Sequence, residues 1–508
     1  VQGLPIAVAA LAGLLSTLVL IPWICRKSQE WKWTGCAREF HQTHHAPVPR
    51  FGGLAMAIAC VVVAGVLSAF FGQHNGHEPL RWLIVASALA MFLLGFLDDI
   101  RPLGARKKLL GQILISLAVY FCGIAITQFK NPFTGEVIEL GAWAVVVTVF
   151  WLVTVTNLIN LIDGIDGLAG GVSFMLLLLL TYQAGATDGF PGLCAGMAAS
   201  VLGFLFFNFP PARVHMGDGG AYFLGFLIGV LSLTNSQKGT VAAALIAPLF
   251  VLALPILDVC LAILRRGLRG LPIFRPDRRH IHHRLVEVGF SRAQSVLILY
   301  GIILVGLVIG FVVFLSQGRL TALLFGITCL AFLVIARCFK FSRGWFAVGR
   351  VLGNSLEMRK EVQYALTLTK WLEQEGERCE SLEELWKDFS FAARKSGFAE
   401  IRLVLEDGER VWHVDRPVGR EENYSCRQDL HVGANTVMEF SAPRAAMSRQ
   451  LFELLCELLA EGWIKALQKC RAQTEARSNA GGTAERDGRV LAGGPVYAET
   501  AKAAEVTR

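Results

Sequence analysis

The stretch GFLDDIRPLGARKK (95–108) decides how this chain is read. Asp98 and Asp99 stand side by side at the end of an apolar run, with no charged residue from Trp82 to Leu97. A carboxylate at the end of a membrane segment is costly unless it faces water or does chemistry. Working outward, two more acidic clusters repeat the placement: NLINLIDGIDGLAGG (157–171) and FNFPPARVHMGDGGAY (207–222). A fourth polar cluster, RPDRRHIHHRL (275–285), is basic and carries three histidines. Carboxylates, amides, histidines and arginines set at the same end of several apolar segments point to one polar site at a membrane surface.

Composition agrees with a membrane chain. Of 508 residues, 54% are hydrophobic and 17% charged, and the mean hydropathy is +0.50. Soluble domains carry about 25% charged residues, and about 20 apolar residues cross a bilayer. We expect eleven spans, at about 4–24, 51–71, 81–98, 109–128, 141–159, 168–185, 190–208, 219–236, 239–264, 294–315 and 320–339. The first lacks a basic leader and an obvious cleavage site, so it is read as a span and not as a signal peptide.

Alternate loops set the orientation. One set holds Arg26, Lys27, Lys32, Arg38, Arg50, Arg101, Arg106, Lys107, Lys108, Arg213 and the arginines from Arg265 to Arg292; the other holds only Arg81, Lys130, Lys238 and Arg319. The rich side is cytoplasmic, and every polar cluster falls on it. The N-terminus is then outside. The net charge of +8 lies in these short loops, so it reads as membrane topology and not as nucleic-acid binding. Twelve cysteines are scattered without a CxxC pair; inside apolar runs they read as small hydrophobes.

The expected fold is an all-α polytopic membrane protein followed by a small cytoplasmic α+β domain. Residues 1–340 form the membrane domain and 341–470 the α+β domain, with a GAF-like order of roughly α-α-β-β-β-β-α. Helices are read in 355–374, 381–397 and 447–468, with a capping box at Ser381 and Glu384. Hairpins are read in 400–414 and 429–443. The Ala-, Gly-, Thr- and Arg-rich stretch 471–508 reads as disordered.

Carboxylates and amide oxygens are hard ligands that suit Mg²⁺ bridging protein to phosphate. Asp98, Asp99, Asp163, Asp166 and Asp218, with Asn157 and Asn160, supply such oxygens. Helix capping is the plainer use of these residues; it serves equally well for Asp166, and less well for Asp98, Asp99 and Asp218. Arginine forks and imidazoles together suit a diphosphate, which gives Arg279, His280, His282 and His283 a purpose beyond anchoring a loop. Lys108 either reaches that diphosphate or snorkels. In HHAPVPRFGG (44–53) the prolines stiffen the chain, Gly52-Gly53 permits a turn against a ligand or helix, and Arg50 either touches substrate or sits at the membrane surface.

Taken together, PVPRFGG, FLDD, NLINLIDGIDGLAGG, FNFPPARVHMGDGG and PDRRHIHHRL resemble, in order and position, the polyprenyl-phosphate N-acetylhexosamine-1-phosphate transferases of glycosyltransferase family 4. The resemblance covers about 1–340. It implies that a membrane prenyl phosphate attacks the β-phosphorus of a UDP-sugar and that UMP leaves. It implies catalytic roles for Asp98, Asp99 and Asp163, with Asp98 deprotonating or orienting the lipid phosphate. Asp218 and Asn160 would hold Mg²⁺, for which Mn²⁺ could substitute. Asn208 and His215 would lie near the nucleotide base, although a histidine replaces the aromatic ring usual there.

The HIHH form resembles the branch that uses UDP-N-acetylglucosamine. Ile281 interrupts the three consecutive histidines usual in the branch acting on UDP-N-acetylmuramoyl-pentapeptide, which is the alternative. The expected partners are a UDP-sugar, undecaprenyl or another polyprenyl phosphate and the bilayer, with no nucleic acid. A homodimer, and a regulator bound by the C-terminal domain, complete that expectation. The expected place is a bacterial inner membrane, and the expected step the first membrane reaction of cell-envelope polysaccharide synthesis. An ion-coupled transporter would also use intramembrane acids, but its polar groups would lie near mid-bilayer. A receptor or scaffold would account for 341–470 and not for the acids.

Overall fold

The computed structural model describes residues 3–30, 48–71, 78–130, 136–187, 189–234, 241–269, 285–286, 288–316, 318–338, 348–379, 381–405, 408–413, 423–430 and 437–488. Apart from the short stretch 267–271, the chain divides into one compact unit up to residue 347 and a second from Val348 onward.

The first unit is helical. Its elements are α1 (Gly3–Glu30), α2 (Gly52–Phe71), α3 (Glu78–Ile100), α4 (Ala105–Phe121), α5 (Trp143–Ile162), α6 (Leu168–Thr187), α7 (Pro191–Asn208) and α8 (Gly217–Thr234). They continue with α9 (Val241–Val251), α10 (Ala253–Arg269), α11 (Arg292–Leu315) and α12 (Thr321–Cys338). Among the described residues, eight helices are long and apolar enough to cross a membrane: α1, α2, α3, α5, α6, α7, α8 and α11. The other three expected spans fall on α4, the α9–α10 pair and α12.

Two departures have local causes. The expected span 239–264 breaks at Leu252 between α9 and α10. Pro255 has no N–H to donate to the Val251 carbonyl, and Pro248 removes a bond earlier in α9. The expected span 109–128 ends early, at Phe121, where Gly123 turns with φ +94°. The chain then enters a small antiparallel hairpin, β1 (Gln128–Lys130) with β2 (Val137–Glu139), that apolar periodicity gave no sign of.

The hub is α8. Every residue from Gly219 to Leu233 is buried, and α8 packs against α2, α3, α5, α6 and α9. A helix apolar all round belongs in an interior. Close approach depends on small residues: a methyl group at Gly95 of α3 would lie 2.5 Å from the Asp218 carbonyl oxygen of α8. Around the hub, α1 packs on α7 and α2, and buried Thr17 and Ser200 join α1 to α7 by a 2.7 Å hydroxyl pair. Meanwhile α11 packs on α9 and α6.

The second unit runs α13 (Val348–Glu375), α14 (Leu382–Lys395), β3 (Glu400–Leu405), β4 (Gly408–His413), β5 (Asn423–Asp429), β6 (Val437–Pro443) and α15 (Arg449–Gly488). The strands form an antiparallel sheet in the order β4-β3-β6-β5. Its covered face pairs Ile401 with Phe440 and Leu403 with Met438, all four buried. Its other face pairs Arg402 with Glu439 and Glu439 with Arg427. Ser381 caps α14 by accepting the Glu384 N–H. Two expectations move. The first strand of the second hairpin lies at 423–429, ahead of the expected 429–443. The last helix runs on to Gly488, through part of the stretch expected to be disordered; its Ala, Arg and Glu content favours helix.

Candidate active site

One end of the helical unit gathers the C-terminal ends of α3, α5 and α7 with the N-terminal ends of α2, α4, α6 and α8. Each of these helices stops or starts for a readable reason. Pro102 follows α3, the Asp163-Gly164 turn follows α5, and Phe209-Pro210-Pro211 follows α7. Gly217 opens α8 with φ +75°, a conformation that side chains rarely adopt. The segments ending in PRFGG and HMGDGG lie backbone to backbone. The His215 N–H donates to the Pro49 carbonyl at 2.8 Å, and the Gly52 and Gly53 N–H groups donate to the His215 and Met216 carbonyls at 2.9 and 3.0 Å. Gly52 and Gly53, which open α2, are therefore packed backbone to backbone against the segment that leads into α8.

At the centre, Lys108 Nζ lies between two carboxylates. It donates to Asp98 Oδ2 at 2.8 Å and to Asp218 Oδ2 at 3.2 Å. The other Asp98 oxygen accepts the Leu103 N–H at 2.8 Å. The other Asp218 oxygen accepts from Asn160 Nδ2 at 3.1 Å. Lys108 thus points into the cluster, beside the Tyr222 ring at 6.0 Å, and does not snorkel outward. Asp218 keeps 33% of its side-chain surface exposed, which leaves it open to a ligand.

Asp99 has a different job. Its two oxygens accept the Asp218 and Gly219 N–H groups at 3.0 and 2.9 Å. It caps α8 from a neighbouring helix and so holds Asp218 in place.

Asp163 closes the site from the end of α5. It is half-buried. Burial, and then the nearby carboxylates of Asp218, Asp99 and Asp166, raise its pKa well above the ordinary carboxylate value; Arg50 opposes the shift. Arg50 therefore belongs to the site's electrostatics. Asp166 serves the loop: its Oδ2 accepts the Ala212 N–H at 3.2 Å, and its Oδ1 lies 3.6 Å from His215 Nδ1.

Asn208, expected near the nucleotide base, braces the loop in this structure. Its side chain is buried, its Oδ1 accepts the Gly167 N–H and its Nδ2 donates to the Val214 carbonyl, both at 2.8 Å. Its amide is spent on bracing the loop. His215 is half-buried at the rim. Arg279, His280, His282 and His283 lie outside the described residues.

Two supporting residues escaped the sequence reading. Gln112 of α4 is buried and pairs with Asn157 of α5, whose Nδ2 donates to Gln112 Oε1 at 2.7 Å. The pair lies one helical turn behind Lys108 and Asn160 and fixes the register between their helices. A buried glutamine four residues after Lys108 was the available signal. Tyr300, a polar aromatic inside an apolar run, is the second.

Among the described residues the site sets Asp98, Asp99, Asp163, Asp166 and Asp218 against Lys108, Arg50 and His215, a balance that suits a cation and, through it, a phosphate. Among the described residues no three carboxylate, histidine or cysteine side chains form a ready-made metal cage. Next to the end of α5, a mostly apolar groove is lined by Leu161, Ile162, Leu168, Leu254 and Leu299, with Asp258 as its charged member.

Comparison with known proteins agrees with the motifs. Residues 81–236 match the family model for glycosyl transferase family 4. The chain is 38% identical over 299 residues to a probable undecaprenyl-phosphate N-acetylglucosaminyl 1-phosphate transferase of Bacillus subtilis, covering 58% of this chain and 81% of the relative. It is 29% identical over 365 residues to a decaprenyl-phosphate N-acetylglucosaminephosphotransferase of Mycolicibacterium smegmatis, covering 66% and 89%. It is 32% identical over 331 residues to a phospho-N-acetylmuramoyl-pentapeptide-transferase of Desulforudis audaxviator, covering 60% and 97%.

Proposed function

The chain belongs to glycosyl transferase family 4, and from that premise we propose that it transfers N-acetylglucosamine 1-phosphate from a UDP-sugar to a polyprenyl phosphate, releasing UMP. The observation that carries the reading is the Asp98–Lys108–Asp218–Asn160 chain of contacts at a shared helix end. The leucine- and isoleucine-lined wall of the groove at the end of α5 suits the prenyl tail, with Asp258 at its charged part. N-acetylglucosamine is favoured over the muramoyl pentapeptide by the HIHH sequence and by the Bacillus subtilis relative's name.

Mg²⁺ fits this site. Mg²⁺ is commonly held by one or two carboxylates plus substrate phosphates, so a single open carboxylate suffices. Asp218 would hold it, joined by Asn160 once its amide turns to present oxygen. When bound, the ion supplies positive charge against the diphosphate and the leaving UMP.

The chain's own groups do the rest. Asp98 orients the lipid phosphate and takes its proton. Lys108 screens Asp98 from Asp218 and offers its ammonium to a phosphate oxygen. Asp99 accepts the first N–H groups of α8 and so fixes Asp218 in the site. Arg279, His280, His282 and His283 grip the diphosphate. Phosphoryl transfer needs mainly such positioning and charge stabilisation. The site then faces the cytoplasm of a bacterial inner membrane, on the arginine- and lysine-rich side of the loops.

The test is incubation of the purified protein with radiolabelled UDP-N-acetylglucosamine, Mg²⁺ and undecaprenyl phosphate, beside the muramoyl-pentapeptide nucleotide. Lipid-linked sugar and free UMP in the first reaction alone are expected. Label confined to the aqueous phase in both would overturn the reading.

A further inference from the structure

The loop that carries Asp163 and Asp166 is held from two sides at one residue. Gly167 closes that loop with φ +82°. Its N–H donates to Asn208 Oδ1 of α7 at 2.8 Å. Its carbonyl accepts the Tyr300 hydroxyl of α11 at 2.5 Å, besides the Gly171 N–H of the first turn of α6 at 2.9 Å. Both backbone polar groups of Gly167 are thus fixed by side chains from different helices.

The tyrosine is seated for this contact. Position 171 is a glycine, and a methyl group there would lie 2.2 Å from two ring carbons and 2.3 Å from the hydroxyl oxygen. The ring occupies the space that the missing side chain leaves. A packing aromatic in an apolar helix needs no hydroxyl, and a hydroxyl there is costly without a partner. This one has a partner in the acidic loop. In the sequence, α11 follows the stretch that bears Arg279, His280, His282 and His283.

We propose that Tyr300 is a positioning residue, whose hydroxyl holds the 163–167 loop so that Asp163 stands correctly toward Asp218 and the substrate phosphates. The catalytic half of this inference rests on the transfer reading above; the loop-ordering half does not.

The experiment uses the full chain in detergent with Tyr300→Phe, which keeps the ring and removes the hydroxyl. Amide exchange across 163–171 should quicken while the unfolding midpoint stays near that of the parent. The kcat should fall by about tenfold, with KM for the UDP-sugar changed by less than about twofold. A second variant, Gly171→Ala, presses on the ring from the other side and should reproduce the selective loss. Combined, the two should cost little more than either alone. Unchanged exchange in the loop, an unchanged kcat, a loss confined to KM or fully additive losses would each overturn the proposal. If the parent protein transfers no sugar phosphate, the transfer reading fails, and the exchange measurement still decides the role of Tyr300 in the loop.

Discussion

Lys108 does at the scale of one residue what the site needs before substrate arrives. It keeps Asp98 and Asp218 from facing each other as bare anions. The two acids should therefore separate in their effects. Asp218→Ala removes the open carboxylate, and turnover should vanish at every Mg²⁺ concentration. Asp98→Asn should lose turnover while calorimetry still records UDP-sugar binding; loss of nucleotide affinity in that variant would take Asp98 away from the lipid phosphate. In the second unit, a hydrogen bond with Cys456 lowers the Cys426 pKa to about 7. Alkylation of Cys426 should pass its half-maximal rate near pH 7 and level off above about pH 8, while ordinary thiols keep accelerating toward pH 9. Cys456→Ala should move that plateau upward, as read by mass spectrometry of labelled peptides.

At the scale of elements, the cap on α8 explains why two adjacent aspartates are needed. Asp98 turns toward Lys108, whereas Asp99 holds a helix end in place. Losing such a cap costs about 1 kcal/mol, so Asp99→Ala should lower the unfolding midpoint and the activity together. Asp99→Asn still offers one acceptor oxygen and should recover much of both. Equal inactivity of Asn and Ala with an unshifted midpoint would make Asp99 a substrate contact instead. The sequence exposed these acids because charge in an apolar run has no neutral explanation. It did not expose the division of labour between them, which depends on the helix opposite. Gln112 and Tyr300 escaped for the same reason: each looks like an ordinary helix residue until its partner across the interface is known. The break at Leu252 was available in Pro248 and Pro255 but was masked by the apolar run around them.

At the scale of the molecule, the two compact units match a change in composition that the sequence shows after residue 340. All the acids described at the site belong to the first unit. A chain cut after Lys340 should insert and still transfer sugar phosphate at a measurable rate in detergent, with its regulation altered; complete loss in a correctly inserted truncation would mean that the second unit completes the site. The order of helices and strands in that unit was legible from periodicity. The β5 strand, with its polar NYSCRQD sequence, was less so, because alternation there falls on a half-covered strand.

The enclosed helix α8 has a consequence for how the protein meets its solvent. Lipid thickness acts on a helix through the side chains that touch acyl chains, at fractions of a kcal/mol per Å of mismatch. From Gly219 to Leu233, α8 has no exposed residue, while Leu11, Leu15 and Val19 on α1 and Leu297 and Val305 on α11 are exposed. Mismatch therefore strains the outer helices first, and reaches Asp218 only through their packing. Chemistry hung on an inner post is shielded from the bilayer that surrounds it. Reconstituted into thin and thick phosphatidylcholine membranes, the enzyme should keep its kcat within about twofold, whereas a sharp optimum at one thickness would show that the strain passes inward to the post.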